Sequence, residues 1–139
     1  MTTAADLVEQ GVSGLHPTDD AAGARAAAQE HHWRIVDLDT SHGTDKPYFL
    51  QVCRQAFDLP QWFGGNWDAL ADSLSDIDDP SGTLVIWTGA GTLEAVVRET
   101  AAEIFAERVE RVERTGRGSG AFLVLVAAGR DGGRSMSAL

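Results

Sequence analysis

Two unbroken apolar runs stand out along the chain, "TLVIW" at residues 83–87 and "AFLVLVA" at 121–127, each bounded by glycine and polar residues. Such runs predict strands buried on both faces, the pattern of a parallel sheet whose two sides must each be covered. "WRIVDLD" at 33–39 alternates enough to predict a third strand. Before it, the alanine-rich "DDAAGARAAAQEHH" at 19–32 opens on acidic residues that suit a helix N-terminus, and a helix is predicted there. "TSHGTDKP" then reads as a loop leading into a helix through "YFLQVCRQAF", which Leu59-Pro60 ends.

Between the two apolar runs, Leu93, Val96, Val97, Ile104, Phe105, Val109 and Val112 recur at helical spacing with a drift in phase near Thr100, so two helices or one bent helix are predicted. Glu107/Arg111, Glu110/Arg114 and Glu113/Arg117 stand at i, i+4 in the favourable order, and residues 98–117 balance five arginines against five glutamates. That stretch reads as a self-neutralised helix surface. A shorter helix is predicted after the turn Gly64-Gly65-Asn66, with Asn66 as its cap and Asp68 in its first turn. Residues 1–18 show no clear period, and "GRDGGRSMSAL" from Gly129 is too rich in glycine and serine to pack, so it is expected to be disordered.

Composition narrows the class. At 139 residues and 43% hydrophobic content, one α/β domain with a real core is expected. No run of 18 apolar residues exists and the N-terminus lacks a charged start and apolar middle, so a cytoplasmic protein is expected, with no membrane insertion. Cys53 is the only cysteine, which excludes an intramolecular disulfide and a multi-thiolate metal site. A net charge of −10 argues against nucleic acid and anionic membranes as partners. The charge is also localised: between Arg54 and Arg98 stand seven acidic residues and no lysine or arginine.

Most of that excess lies in "LPQWFGGNWDALADSLSDIDD", residues 59–79. On a helix, Asp68, Asp72 and Asp76 fall at i, i+4 and i+8, an acidic column whose members repel by a few tenths of a kcal/mol per pair, roughly. The helix dipole accounts for Asp68 in the first turn, but its effect fades before Asp72 and Asp76. A hydrolase using Asp68 and Asp72 as acid and base lacks partners, since no histidine follows His42 and no Gly-rich phosphate loop is present. Asp76, Asp78 and Asp79 lack the ligand spacing and terminal glutamate of a calcium loop. His31-His32, being adjacent, make a weak zinc pair. No metal or cofactor is expected.

The order strand, helix, "LPxWFGxNWDALxDxL", apolar strand, helical hairpin, apolar strand resembles the barstar family of intracellular ribonuclease inhibitors over residues 33–127. Leu59, Pro60, Phe63, Gly64, Asn66, Asp68, Ala69, Leu70, Asp72 and Leu74 all stand where the family has identical or similar residues. The resemblance implies a small three-stranded parallel sheet packed with helices, over residues 33–128. Residues 1–32 then form an extra N-terminal segment with a helix, and residues 1–18 and 129–139 are expected to be dispensable for binding.

It further implies a protein that is not an enzyme and that inhibits a small guanyl-preferring microbial ribonuclease in a one-to-one complex. Asp72 matches the acidic residue that enters the nuclease active site, and Asp68 a second interface carboxylate. Trp62 matches an interface tyrosine, Trp67 an interface leucine, and Ile77 an aromatic after the helix. Ala71 stands in place of an interface tryptophan and Asp76 in place of a glycine, so contacts there differ. Gly64 and Asn66 complete the expected partner-binding set. A ribonuclease active site concentrates cations that hold phosphates, and carboxylates framed by apolar groups complement it. The alternative is immunity to, or regulation of, a different cationic protein, because a fold does not fix its partner.

Overall fold

In the computed structural model, which describes residues 3–60, 65–77, 81–115 (side chains to Glu110) and 120–127, four parallel strands make one sheet. They are β1 (Gly14–Thr18), β2 (Arg34–Asp39), β3 (Thr83–Thr88) and β4 (Phe122–Ala127), in spatial order β1-β4-β3-β2. Arg34 pairs with Thr83, Thr83 with Phe122, and Gly14 with Leu123.

The two apolar runs are the two central strands, and each buries both of its faces. Val85 and Trp87 of β3, with Phe122 and Val124 of β4 and Val36 and Leu38 of β2, meet helices α3 (Lys46–Ala56), α4 (Trp67–Ser75) and α5 (Ala95–Thr115). Leu84, Ile86, Leu123 and Leu125 face the other way, onto α1 (Ala4–Glu9) and α2 (Ala21–Glu30). There Ala24, Ala27 and Ala28 are the buried positions of α2, small enough to bring the helix close to the sheet. No helix among the described residues is long and apolar enough to cross a membrane.

Two expectations are corrected. The sheet has four strands rather than three, because "GLHPT" in the N-terminal segment pairs along the edge of β4. Its composition hides it: Leu15 is its one aliphatic side chain, and Pro17 is tolerated only because β1 is an edge strand. The N-terminal segment therefore holds α1, β1 and α2, all packed on the same sheet.

The second correction concerns the helical hairpin of the family resemblance: of the two helices or one bent helix expected, the structure has a single helix of 21 residues, α5. Val96 is 67% exposed and lies off the buried stripe, whereas Val97, Ala101, Ile104, Phe105, Arg108 and Val109 lie on it in one phase. With Val96 off the stripe and Arg108 on it, no drift in phase remains at Thr100. A single 3-10 turn, Ala90–Thr92, links β3 to this helix region. Residues 129–139 lie outside the described residues.

Candidate functional site

The acidic column is built on α4, and the local sequence dictates where that helix starts and which way it faces. Gly65 takes a left-handed φ of 65°, a conformation that costs glycine little. Asn66 follows in extended conformation, and its side-chain oxygen accepts the amide of Ala69 at 2.8 Å, satisfying one of the helix's free N-terminal donors. Leu70 and Leu74 are fully buried in the core under the sheet face shared with α3 and α5. Their burial turns Asp68 and Asp72 outward, and both are exposed. Asp76 is the C-cap, exposed, with φ −83° and ψ −9°. These near-helical angles keep it in line with the other two.

The remaining expected site residues divide by burial. Trp67 is half-buried: its ring packs toward Phe49 at 5.7 Å between centroids, and Lys46 Nζ lies 5.7 Å from the ring centroid. Ala71 is half-buried against the core, and its carbonyl accepts the Ser75 hydroxyl at 3.0 Å. Ile77, expected at the partner surface, is only 8% exposed and belongs to the core cluster, because the chain turns inward after Asp76. Trp62 and Gly64, together with Phe63, Asp78 and Asp79, lie outside the described residues.

One charged group is buried where the sequence pattern predicts a helix surface. Arg108 of α5 is 7% exposed; its Nε donates to the Leu74 carbonyl at 2.7 Å and its Nη2 to the Ile77 carbonyl at 2.6 Å. The guanidinium also stacks over Phe122, 4.7 Å from the ring centroid. These bonds cap the end of α4, which has no basic residue in its own last turn. The sign in the sequence was position: Arg108 stands three and four residues beyond Phe105 and Ile104, on the apolar stripe of α5.

Other polar clusters lie off the acidic column. At the end of β2, the Asp39 carboxylate accepts the Ser41 hydroxyl at 2.6 Å and the Ser41 amide at 3.0 Å, with His42 Nε2 at 3.7 Å. These bonds, the hydroxyl's foremost, hold the Asp39 carboxyl below the usual carboxylate range, with His42 adding to the effect and burial opposing it. Ser41 thus donates its hydroxyl to the Asp39 carboxylate, which also lies beside the His42 imidazole. Arg25 of α2 pairs with Asp37 of β2, and that hydrogen bond raises the guanidinium's already high pKa. Glu9, Glu30 and His31, all exposed, bring one possible ligand atom each within 4.8 Å of one another on the α1/α2 face; His31 thus gathers with the glutamates rather than with His32.

A family model described as Barstar (barnase inhibitor) matches residues 33–125. The match runs from the residue before β2 into β4, so it takes in α3, α4 and α5 and leaves out α1, β1 and α2. Among curated proteins, nothing matches the chain.

Proposed function

Because the chain belongs to the barstar family, we propose that it inhibits a microbial guanyl-preferring ribonuclease in the cytoplasm, by setting α4 and the loop before it into the nuclease active site. The observation that carries this reading is the exposed column Asp68, Asp72 and Asp76 on a helix whose opposite side, Leu70 and Leu74, is fully buried. Carboxylates held on a firm surface take the place of RNA phosphates among the enzyme's cations, and each such contact is a charge-assisted hydrogen bond. Asp72 is the group that enters deepest and Asp68 supports it. Trp62 and Trp67 supply apolar contact around them, and Gly64 lets the backbone come close. Nothing in this action needs a cofactor or a chemical step.

A second reading keeps the surface and changes the target to another cationic protein. It is favoured by Ala71 and Asp76, which stand where the family resemblance has a tryptophan and a glycine. One experiment separates the two: titrate the protein against a panel of secreted guanyl-specific ribonucleases while following RNA cleavage. Stoichiometric loss of activity supports ribonuclease inhibition. Full activity across the panel, with the protein folded and in excess, rejects it in favour of a different cationic partner.

A further inference from the structure

We infer that Arg108 is a positioning residue for the acidic helix: it never meets the partner, yet it sets how firmly Asp72 and Asp76 are held for binding. This rests on the proposed reading of α4 as the partner-binding surface.

The argument starts from the end of α4. A helix leaves its last carbonyls without partners and carries partial negative charge there, and Asp76 adds a full negative charge at the cap. Such an end frays unless a cation and donors are brought to it, and α4 carries no basic residue in its last turn. Arg108 brings both from a different helix. Its Nε and Nη2 reach the carbonyls of Leu74 and Ile77, at 2.7 and 2.6 Å, so one planar group bridges the last turn of α4 and the residue after the cap.

Burial makes these bonds matter more. At 7% exposure the guanidinium has lost most of its water, which is costly unless its donors are used. The carbonyls, the helix end and the Phe122 ring 4.7 Å away supply part of what water would have given. Phe122 belongs to β4, a central strand, so the end of α4 is tied through Arg108 to the middle of the sheet. Lysine cannot replace it fully, because a single ammonium lacks the rigid fork that spans two acceptors in one plane. A helix fixed in this way presents its carboxylates without further ordering when it binds, and a surface ordered beforehand releases its partner more slowly.

The test compares Arg108→Met, which keeps the volume and removes the donors, with Arg108→Lys and with Val8→Ala. Val8 is a buried residue of α1 on the far face of the sheet, so its truncation destabilises without touching α4. Each folded variant is mixed with a ribonuclease that the parent inhibits, and dissociation rates are measured together with amide exchange of residues 74–77 in the free protein. Arg108→Met is expected to dissociate roughly 10- to 100-fold faster, with a comparable loss of exchange protection, since a hydrogen bond from a charged group is worth about that factor. Arg108→Lys recovers part of both, and Val8→Ala changes neither. If Arg108→Met does not fold, Arg108→Lys carries the comparison and is expected to fall between parent and tenfold faster release, roughly. Parent-like dissociation and parent-like exchange in a folded Arg108 variant overturn the inference. Equal acceleration by Val8→Ala overturns it as well, because general loss of stability then explains the effect. A parent protein that inhibits no ribonuclease refutes the proposed function instead, and the exchange data then decide whether Arg108 holds the helix.

Discussion

Trp67 and Phe49 stand with ring centroids 5.7 Å apart and planes inclined at 41°, joining the first turn of α4 to α3. The tryptophan is half-buried, so one side of it belongs to the core while the rest stays open beside Asp68. Trp67→Ala is expected to lower stability by about 2 kcal/mol, less than a fully buried tryptophan would cost. Trp67→Leu, the residue type found in the family resemblance, should lose about half of that or less. Urea midpoints of the two variants check this; an unchanged midpoint for Trp67→Ala would mean the ring does not anchor the helix.

Asp72 is expected to matter to binding and not to folding. It is exposed, and removing it relieves repulsion along the column, so Asp72→Ala should fold as well as the parent or slightly better. Its loss should weaken the complex by roughly 2–5 kcal/mol, because the partner's cations would be buried without their counter-charge. Asp68→Ala should cost less. Dissociation rates measured beside thermal unfolding separate the two effects, and undiminished inhibition by Asp72→Ala would show that α4 is not the plug.

Association should be fast at low salt and slow steeply as salt rises. Seven acidic residues between Arg54 and Arg98 have no lysine or arginine among them, and their field extends only about 8 Å at physiological ionic strength. Stopped-flow mixing at several salt concentrations measures this. An on-rate indifferent to salt counts against steering by the acidic surface, however tight the complex.

Deleting residues 1–18 should damage the fold, contrary to the expectation from the family resemblance alone. The deletion removes β1 from the edge of β4 and takes away Ala4 and Val8 from the cluster that covers Leu84, Ile86, Leu123 and Leu125. Exposing buried aliphatic groups costs about 1.5–3 kcal/mol for each side chain fully uncovered, against a total stability on the order of 5–15 kcal/mol. The truncated protein is expected to melt far below the parent or not to fold. Circular dichroism and calorimetry decide it, and a truncated chain with the parent's melting temperature would show that the sheet stands without β1.

Acid should weaken the protein in part through Asp39. Its folded pKa lies below the unfolded value of about 3.9, so it adds stability above that pH and loses it as pH falls through the folded value. The contribution is small, because the carboxylate is more than half exposed and solvent screens it. Asp39→Asn should therefore melt slightly below the parent at pH 6, roughly, and converge with it as pH falls through the folded value, where the Asp39 carboxyl becomes as neutral as the asparagine amide. Parallel melting curves across that range would remove Asp39 from the acid response.

The parts of the fold that could be read from sequence were those whose own residues determine them. "TLVIW" and "AFLVLVA" carry the mark of buried strands in their own short apolar runs, and Asn66 after two glycines marks the start of α4 to the residue. What could not be read depends on distant partners. "GLHPT" is a strand because β4 leaves it an edge, and no property of its five residues says so. Arg108 looked like surface charge because its acceptors, Leu74 and Ile77, are more than thirty residues away. The same holds for Ile77, whose place in the core follows from α5 lying over it rather than from its neighbours.

The strand order has a consequence for how the protein comes into being. β4 is made last of the four strands and fits between β1 and β3, and the Phe122 amide donates to the Ser13 hydroxyl across 109 residues of chain. Until β4 has been made, β1 and β3 have no common neighbour, and Arg108 has no Phe122 to lie against. Pairings this distant form slowly and only once the intervening chain has been collected. The acidic helix thus reaches its anchored form only once β4 has been made, and a nascent chain short of residue 122 has neither a complete sheet nor a finished binding surface.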